Sequence, residues 1–330
     1  MFDKIKEFEI RSAPLVDKLG YAIKESEKRI VGQKHLMRSL FIGLISGGHI
    51  LLEGFPGLAK TLSIRTISDI VNISFKRIQF MPDMLPADLL GTTVYRPQDG
   101  TFITKQGPLF SNLILADEIN RAPAKVQSAL LEVMQERQIT IGEKTYPLEK
   151  PFLVLATQNP IEQEGTYNLP EAQLDRFMMK ISVDYPSFDE EKMILDRYIS
   201  NLEPVPVDQT LDIQDIAMMS QMVSEIFIDN KIKDYIVKLV YSSRTPAKFG
   251  LDNLVNYIEM GASPRATLML ALGAKTLAFM NGKGFVSPQE VKEIFPSIMG
   301  HRLKLTFEAE AENIDVDEIL NQILRTVTVP

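Results

Sequence analysis

The stretch Gly54-Phe55-Pro56-Gly57-Leu58-Ala59-Lys60-Thr61 follows the apolar residues 50–52 and precedes a helix-like segment that starts at Leu62. A strand, a glycine-rich turn and a helix in this order are typical of a loop that binds the phosphates of a nucleoside triphosphate. Backbone N–H groups at the start of such a helix point at the phosphates, and the helix dipole favours their negative charge. The stretch therefore predicts a nucleotide site, with a glycine turn that merely caps an ordinary helix as the alternative.

Side chains of this loop have separate expected roles. We expect Lys60 to reach the β- and γ-phosphates and the Thr61 hydroxyl to ligate Mg²⁺. Ala59 stands where a glycine usually precedes the lysine, and we expect its backbone to be roughly helical, a conformation that suits alanine. The predicted nucleotide-binding residues of the loop are Gly54, Pro56, Gly57, Leu58, Ala59, Lys60, Thr61 and Leu62.

Length and composition narrow the class of protein. A chain of 330 residues favours two domains, and 45% hydrophobic with 24% charged residues is ordinary for a globular protein. The formal net charge of −7 gives no support for a general nucleic-acid-binding surface. Zero cysteines exclude disulfides and thiolate metal sites, and the three histidines are widely separated, which disfavours a histidine metal cluster. Without a long apolar run or a signal-peptide pattern, we expect a cytoplasmic protein.

Strand-like and helix-like segments alternate from about residue 14 to residue 186. The candidate strands are residues 50–52, 75–80, 113–116, 152–157 and 178–183. This alternation favours an α/β fold with a parallel sheet covered by helices on both faces. Strand signals fade after residues 202–208, and residues 211–330 have the pattern of several helices. We therefore predict a domain boundary near residues 187–205, dividing a nucleotide-binding core (1–190) from a helical lid (191–330).

Two insertions interrupt the alternation. Residues 82–110 contain β-prone runs on either side of Asp99-Gly100, and residues 138–146 contain another pair around Gly142-Glu143. Both patterns predict β-hairpins. Hairpins that project from a rigid core are more often working surfaces than decorations, and we interpret both in that way.

An acidic pair, Asp117-Glu118, ends the apolar run at residues 113–116. A carboxylate at the carboxyl end of a buried strand beside a phosphate loop can hold Mg²⁺ through water, which we assign to Asp117. The next carboxylate, Glu118, can polarise the attacking water as a general base. The alternative is an acidic cap for the following helix, a role that Asp117 or Asn120 could fill.

Two further polar residues lie at the ends of candidate strands, Asn159 after the fourth strand and Arg176 before the fifth. Asn159 comes at the end of the fourth strand and before Pro160, which forces its backbone out of helical space, so its amide could orient the lytic water. Arg176 comes directly before the fifth strand and could stabilise transition-state charge on a neighbouring subunit's γ-phosphate. The alternative for Arg176 is an intramolecular ion pair with Asp175 or Glu171.

A third candidate, Arg265, lies in the predicted lid. Ser263-Pro264-Arg265 opens a helix, with Ser263 as the N-cap and Pro264 in the first helical position. The helix dipole opposes an arginine in the first turn. We therefore expect Arg265 to have an anionic partner, and a nucleotide phosphate is the natural one.

In order and spacing, these motifs resemble Walker A, Walker B, sensor 1, the arginine finger and sensor 2 of AAA+ ATPases. The resemblance is closer to the MoxR family, whose signature runs match residues 117–123, 132–137, 156–160 and 169–177, and which usually carries alanine at the position of Ala59. It covers about residues 14–300. It implies a P-loop AAA+ core with a parallel sheet sandwiched by helices and a smaller all-α lid domain. Residues 82–110 would be the helix-2 insertion, and Val31, Gly32 and Gln33 would border the adenine.

The resemblance also implies partners. The MoxR family is associated with hexameric rings and with proteins that bear von Willebrand factor A domains. Because this chain has no Asp-x-Ser-x-Ser motif, such a partner would be a separate polypeptide.

The expected activity is hydrolysis of ATP to ADP with Mg²⁺, in a ring-forming chaperone that remodels or activates a client protein. Two alternatives remain open at this point. One is a nucleotide-gated binding scaffold with very slow turnover, which the presence of Glu118 disfavours. The other is a nucleic-acid motor, which the acidic balance and the lack of a zinc site disfavour.

Overall fold

The computed structural model of the chain describes residues 2–54, 57–158, 167–199 and 203–330. The strands in these ranges are β1 (Ile50–Gly54), β2 (Phe75–Gln79), β3 (Gly91–Arg96), β4 (Thr101–Gln106), β5 (Leu113–Asp117), β6 (Gln138–Ile141), β7 (Lys144–Pro147), β8 (Leu153–Gln158), β9 (Met179–Val183), β10 (Ile258–Met260) and β11 (Lys304–Leu305). The α-helices are α1 (Phe2–Arg29), α2 (Lys34–Ser46), α3 (Lys60–Val71), α4 (Pro86–Leu90), α5 (Ala124–Glu136), α6 (Glu171–Leu174), α7 (Phe188–Tyr198), α8 (Ile213–Glu225), α9 (Asn230–Ser242), α10 (Pro264–Met280), α11 (Pro288–Met299), α12 (Phe307–Ala311) and α13 (Val316–Thr326).

The chain divides into two compact units. The core unit comprises residues 20–169 and 181–217, and the lid unit comprises residues 1–19, 170–180 and 218–330. The division predicted at residues 190/191 falls inside α7 and differs from these units. Residues 205–211 belong to the core unit because the amides of Thr210 and Leu211 donate to Ile70 O in α3, at 3.0 and 3.1 Å.

Five parallel strands form the main sheet in the order β2-β5-β8-β1-β9. Leu155 of β8 lies opposite Ile50 of β1 on one side and Leu115 of β5 on the other. All three side chains are buried, as expected of a sheet with helices on both faces. The five predicted strands are confirmed, with ends that differ by one or two residues. Parallel pairing brings the carboxyl ends of β1, β5 and β8 to one edge of the sheet, where ligands of α/β proteins bind.

Both predicted hairpins are confirmed in the core unit. β3 pairs with β4 and β6 with β7, each antiparallel. Gly100 and Gly142 adopt the left-handed φ values of 65° and 62° that the two tight turns require. The hydroxyls of Thr104 and Tyr146 lie 3.2 Å apart, so the two hairpins are neighbours.

A buried histidine ties β8 to α5 inside the core unit. The amide of Val154 donates to His49 Nδ1 at 3.0 Å, so the proton of the neutral ring is on Nε2, which donates to Met134 O at 3.0 Å. Burial lowers the pKa of His49 to about 4, although the bond to Met134 opposes this shift. His49 is therefore a neutral structural residue, in line with its isolation from other metal-ligating side chains in the sequence.

The lid unit is helical, as expected. Its helices α10 and α11 pack closely, since a Cβ at Gly273 would lie 3.1 Å from the side chains of both Ile294 and Ile298. The unit also contains a short antiparallel ribbon in which β10 pairs with β11, so it is not purely α-helical. With strands of three and two residues, the ribbon has too little alternation to be seen in the sequence.

Helix α1 was not predicted, and it spans 28 residues with Pro14 inside it. Despite its length, it carries many charged side chains on its surface. In the part of the chain that the structure describes, no helix combines the length and apolar character that crossing a bilayer requires.

Candidate nucleotide-binding site

A cleft of about 380 Å³ opens at the carboxyl edge of the main sheet in the core unit. Its lining residues are Gly54, Gly57, Leu58, Ala59, Lys60, Thr61, Leu62, Arg77, Asp117, Glu118, Thr157 and Gln158. The described residues of the predicted phosphate loop and the acidic pair thus meet in one place. Two other predicted site residues, Pro56 and Asn159, lie outside the described residues.

The loop between β1 and α3 has the features of an anion site. Helix α3 begins at Lys60, so the N–H groups of its first three residues have no acceptor within the helix, and these residues line the cleft. Lys60 Nζ donates to Gly54 O at 2.5 Å. Burial lowers the pKa of Lys60, while the nearby carboxylates of Asp117 and Glu118 oppose the shift. A Cβ at Gly54 would lie 2.5 Å from Val183 O, so this position requires glycine.

The backbone of Ala59 corrects one prediction. Ala59 is the residue before α3 and has φ 55° and ψ 17°, which is left-handed rather than helical. This conformation costs an alanine about 1 kcal/mol because Cβ approaches the following carbonyl. Among the described residues, six non-glycine residues have positive φ, and three of them (Gln33, Ala59 and Glu118) are predicted site residues. Strained backbone of this kind concentrates at functional sites.

The acidic pair is held by a buried hydroxyl from the next strand. Thr157 Oγ1 donates to Asp117 Oδ1 at 2.7 Å and accepts from the amide of Glu118 at 2.8 Å. The alternative role of Asp117 or Asn120 as a helix cap is not borne out. Helix α5 has Pro123 as its N-cap residue, with no side-chain hydrogen bond to the helix.

Besides Thr157, three side chains donate to the carboxylates of Asp117 and Glu118. Arg77 donates to Asp117 Oδ2 from Nε at 3.0 Å and from Nη2 at 2.6 Å. Gln79 Nε2 donates to Glu118 Oε2 at 2.7 Å, and Arg121 Nε lies 3.0 Å from the same oxygen. These contacts fix the orientation of both carboxylates in the absence of any ligand.

Sequence reasoning missed four of these residues: Arg77, Gln79, Arg121 and Thr157. For two of them a signal exists only once the strand order is known. Gln79 lies opposite Asp117 in the β2–β5 register, and Arg77 is two residues earlier on the same face of β2. Polar residues near the end of a strand next to β5 would have pointed to the acidic pair, had the strand order been known.

The oxygen donors fit Mg²⁺ bound together with phosphates. The Thr61 hydroxyl and the Asp117 carboxylate line the same cleft, and both are hard oxygen ligands. The described residues contain no cluster of three or more histidine, cysteine or acidic side chains that could hold a metal alone. Mg²⁺ needs no such cluster, because it binds through one or two protein oxygens, substrate phosphates and water.

The predicted adenine-bordering residues lie elsewhere in the core unit and do not line this cleft. Gly32 has φ 66°, and a Cβ there would lie 2.6 Å from Glu190 Oε1. Gln33 Nε2 donates to Asp184 O at 2.9 Å, and Val31 is half-buried beside them. The role of these residues toward adenine stays a prediction.

The two candidate arginines of the finger and the sensor belong to the lid unit. Ser263 Oγ accepts from the amide of Arg265 at 3.1 Å, which confirms Ser263 as the N-cap of α10. Arg265 Nη1 lies 3.8 Å from Asp175 Oδ2, so the expected anionic neighbour is here a carboxylate. Arg176 is half-buried in the turn between α6 and β9. Arg265 and Asp175 line a second cleft, of about 500 Å³.

Comparisons with known proteins agree with this architecture. The family described as "ATPase family associated with various cellular activities (AAA)" matches residues 49–179, and the AAA lid domain matches residues 255–323. Chaperone MoxR1 of Mycobacterium tuberculosis is 46% identical over 315 residues, which cover 96% of this chain and 83% of the relative. Protein MoxR of Methylorubrum extorquens is 29% identical over 331 residues, covering 93% and 94%. The crystal structure of a candidate ATPase from Cytophaga hutchinsonii superposes with a TM-score of 0.93 at 48% identity, covering 99% of each chain.

Proposed function

Because the chain belongs to the MoxR family of AAA+ ATPases, we propose that it hydrolyses ATP with Mg²⁺ in the cleft of the core unit and uses the energy to remodel or activate a partner protein. One observation carries the proposal. Lys60, Asp117 and Glu118 line a single cleft beside the first turn of α3. A cation, a metal-supporting carboxylate and a candidate base are the groups that phosphoryl transfer to water requires.

Each group has a role that follows from its surroundings. The N–H groups at the start of α3 bind phosphate oxygens. Lys60, whose Nζ donates to Gly54 O, exchanges that carbonyl for the β- and γ-phosphates. Mg²⁺, held by Thr61 and Asp117, would neutralise charge on the phosphates. Glu118 accepts the proton of the attacking water, and Gln79 keeps its carboxylate oriented.

Three further residues complete the proposed mechanism. Asn159 would position the attacking water, although it lies outside the described residues. Arg176 would stabilise the transition state on the ATP of a neighbouring subunit, which requires a ring, and Arg265 would respond to the γ-phosphate. Release of the γ-phosphate would then change lid closure and move the hairpins.

The proposed client surface is the first hairpin. Tyr95 and Phe102 lie opposite each other on β3 and β4, with ring centroids 5.2 Å apart, and are 52% and 71% exposed. Exposed aromatic side chains on a protrusion favour contact with another protein. A hexameric ring, a separate von Willebrand factor A domain partner and a cytoplasmic location stay predictions.

The hydrolysis proposal is tested with Glu118→Gln and Lys60→Ala. Loss of a general base lowers turnover by about 10²-fold or more, so Glu118→Gln should bind ATP with almost unchanged affinity and hydrolyse it far more slowly. Lys60→Ala should weaken binding itself. Wild-type turnover by the glutamine variant would show that Glu118 is not the base. Turnover that is negligible in the wild type would favour the binding scaffold.

The ring proposal is tested by light scattering with an ATP analogue, which should reveal a species near six subunits. Persistent monomers at high protein and nucleotide concentration would contradict an arginine finger that acts between subunits. Salt-dependent DNA binding would favour the nucleic-acid motor instead.

A further inference from the structure

Arg77 is a basic residue of the cleft that has no place in the mechanism above. It lies on β2, the edge strand of the main sheet, and lines the cleft together with Lys60 and Asp117. Its side chain is 51% exposed, whereas that of Asp117 is only 19% exposed. A half-exposed cation is therefore held against a largely buried carboxylate.

The hydrogen bonds of Asp117 show which of its carboxylate oxygens Arg77 occupies. Each carboxylate oxygen accepts about two hydrogen bonds. Asp117 Oδ2 receives both from Arg77, through Nε at 3.0 Å and Nη2 at 2.6 Å. Asp117 Oδ1 receives one from Thr157 Oγ1 at 2.7 Å. The oxygen that faces the guanidinium is thus saturated by that side chain.

A third contact fixes the plane of the guanidinium. Arg77 Nη2 also donates to Gln79 Oε1 at 3.0 Å. The same amide donates through Nε2 to Glu118 Oε2 at 2.7 Å. Arg77 thereby links both carboxylates of the acidic pair, one directly and one through Gln79.

On the premise of the proposed Mg²⁺–nucleotide site, we propose that Arg77 competes with Mg²⁺ for Asp117, so that the guanidinium must leave this carboxylate when the metal binds. While the guanidinium occupies Oδ2, neither Mg²⁺ nor a water bound to it can use that oxygen, and the like charges of the two cations repel each other. The half-exposed side chain can leave Asp117 without opening the core.

As a consequence, Arg77 lowers the affinity of the cleft for Mg²⁺. In wild-type protein part of the free energy of Mg²⁺ binding is used to release the Arg77–Asp117 pair. A partly exposed pair has a modest free energy, so its removal should shift the metal affinity about two- to fivefold. The shift should be toward tighter binding, because the competitor is gone.

The test uses Arg77→Gln in the full chain, with a fluorescent ADP analogue as the probe. Mg²⁺ is titrated at fixed protein and analogue concentrations, and the midpoint of the metal-dependent fluorescence change is read. The matched control is Lys76→Gln, which removes the same charge from the adjacent, exposed position on the opposite face of β2. The midpoint should fall about two- to fivefold in Arg77→Gln and stay at the wild-type value in Lys76→Gln.

Each other outcome contradicts the proposal in a distinguishable way. A midpoint that is unchanged or raised in Arg77→Gln would mean that Arg77 does not compete, and a raised one would make it a residue that orients Asp117 for the metal. An equal fall in both variants would reduce the effect to net charge. Binding that ignores Mg²⁺ in wild-type protein would overturn the metal site itself. If circular dichroism shows that Arg77→Gln does not fold, Arg77→Met gives the same reading.

Discussion

Arg302 and Asp175 form an ion pair inside the lid unit, with Arg302 Nε donating to Asp175 Oδ1 at 2.8 Å and only 1% of the arginine side chain exposed. The same guanidinium donates to the main-chain oxygens of Phe177 at 2.5 Å and Met178 at 3.1 Å. Burial lowers the pKa of Arg302, and the hydrogen bond to Asp175 opposes that shift. This one side chain therefore fixes the backbone on both sides of Arg176, the candidate arginine finger.

Replacing Arg302 with Met should destabilise the lid unit strongly. Removing one partner of a buried pair costs about 3–5 kcal/mol, because the remaining charge and the carbonyls lose their donors. The measurement is urea unfolding followed by circular dichroism. The control is Lys304→Met, which removes an exposed pair with Glu259 and should cost less than about 1 kcal/mol. Equal losses in the two variants would contradict a special role of Arg302.

Ala59→Gly should leave the unfolding free energy unchanged or raise it by up to about 1 kcal/mol. Glycine removes the strain of the left-handed backbone at φ 55°, and the greater freedom of the unfolded chain offsets part of that gain. The control is Ala129→Gly in the interior of α5, where the same substitution should cost about 1 kcal/mol. Parallel urea unfolding of both variants gives the comparison. A loss at position 59 as large as that at position 129 would contradict the strained conformation.

The elements that the sequence predicted share a local origin. The four-residue apolar run 113–116 within β5 carries its own pattern, and the turns at Gly100 and Gly142 are specified by neighbouring residues. The same holds for the phosphate loop, whose glycines, lysine and threonine are consecutive. Their meeting with Asp117 follows once a parallel sheet is assumed, since strand ends then share one edge.

What the sequence did not predict depends on strand order and backbone geometry. Arg77 and Asp117 are brought together only because β2 pairs with β5, and Thr157 reaches Asp117 only because β8 pairs with β5 on the other side. No local pattern encodes either neighbour. The left-handed backbone of Ala59 was expected to be helical because alanine favours helices, and the loop geometry overrode that preference.

Thr157→Val should lower both the free energy of unfolding and the ATPase rate, because valine lacks the hydroxyl. Since the two side chains have the same shape, the substitution tests the hydroxyl alone. Asp117 Oδ1 loses a donor at 2.7 Å and the amide of Glu118 loses its acceptor at 2.8 Å. Leaving such buried groups unpaired costs about 1–3 kcal/mol. Thr157→Ser keeps the hydroxyl and should retain most of the ATPase rate. The measurements are urea unfolding and ATPase assays of Thr157→Val and Thr157→Ser. Equal unfolding free energies and equal ATPase rates in the two variants would exclude the hydrogen-bonding role of the hydroxyl.

His49 should make the protein less stable as the pH falls from 6.5 to 5. Its pKa is 6.5 in the unfolded chain and about 4 in the folded one, so over this range the unfolded state takes up the proton. The stability that comes from the neutral ring is complete above pH 6.5 and is lost progressively toward pH 4. From these pKa values the loss between pH 6.5 and 5 is about 1.5 kcal/mol.

The measurement is urea unfolding by circular dichroism at several pH values, with His49→Asn as the comparison. Burial also lowers the pKa of His301, well below 6.5, so a part of the pH dependence should remain in the variant. The slope between pH 6.5 and 5 should nevertheless be smaller in His49→Asn. Identical slopes would show that His49 is already protonated or exposed in the folded protein.

Arg265 separates a structural role from a nucleotide-dependent one. Its contact with Asp175 is long, at 3.8 Å, and 35% of its side chain is exposed, so the pair contributes little to stability. The helix dipole at the start of α10 opposes the arginine by about 0.3–1 kcal/mol. Arg265→Ala should therefore shift the unfolding free energy without nucleotide by less than about 1 kcal/mol.

The ATPase rate of Arg265→Ala should fall at least about tenfold, because a charge that stabilises the transition state is lost. The ATPase rate of Arg265→Lys, which keeps a positive charge, should lie between those of the wild type and Arg265→Ala. A severe loss of stability in Arg265→Ala, with normal turnover by the protein that stays folded, would make Arg265 a structural residue and exclude it as the γ-phosphate sensor.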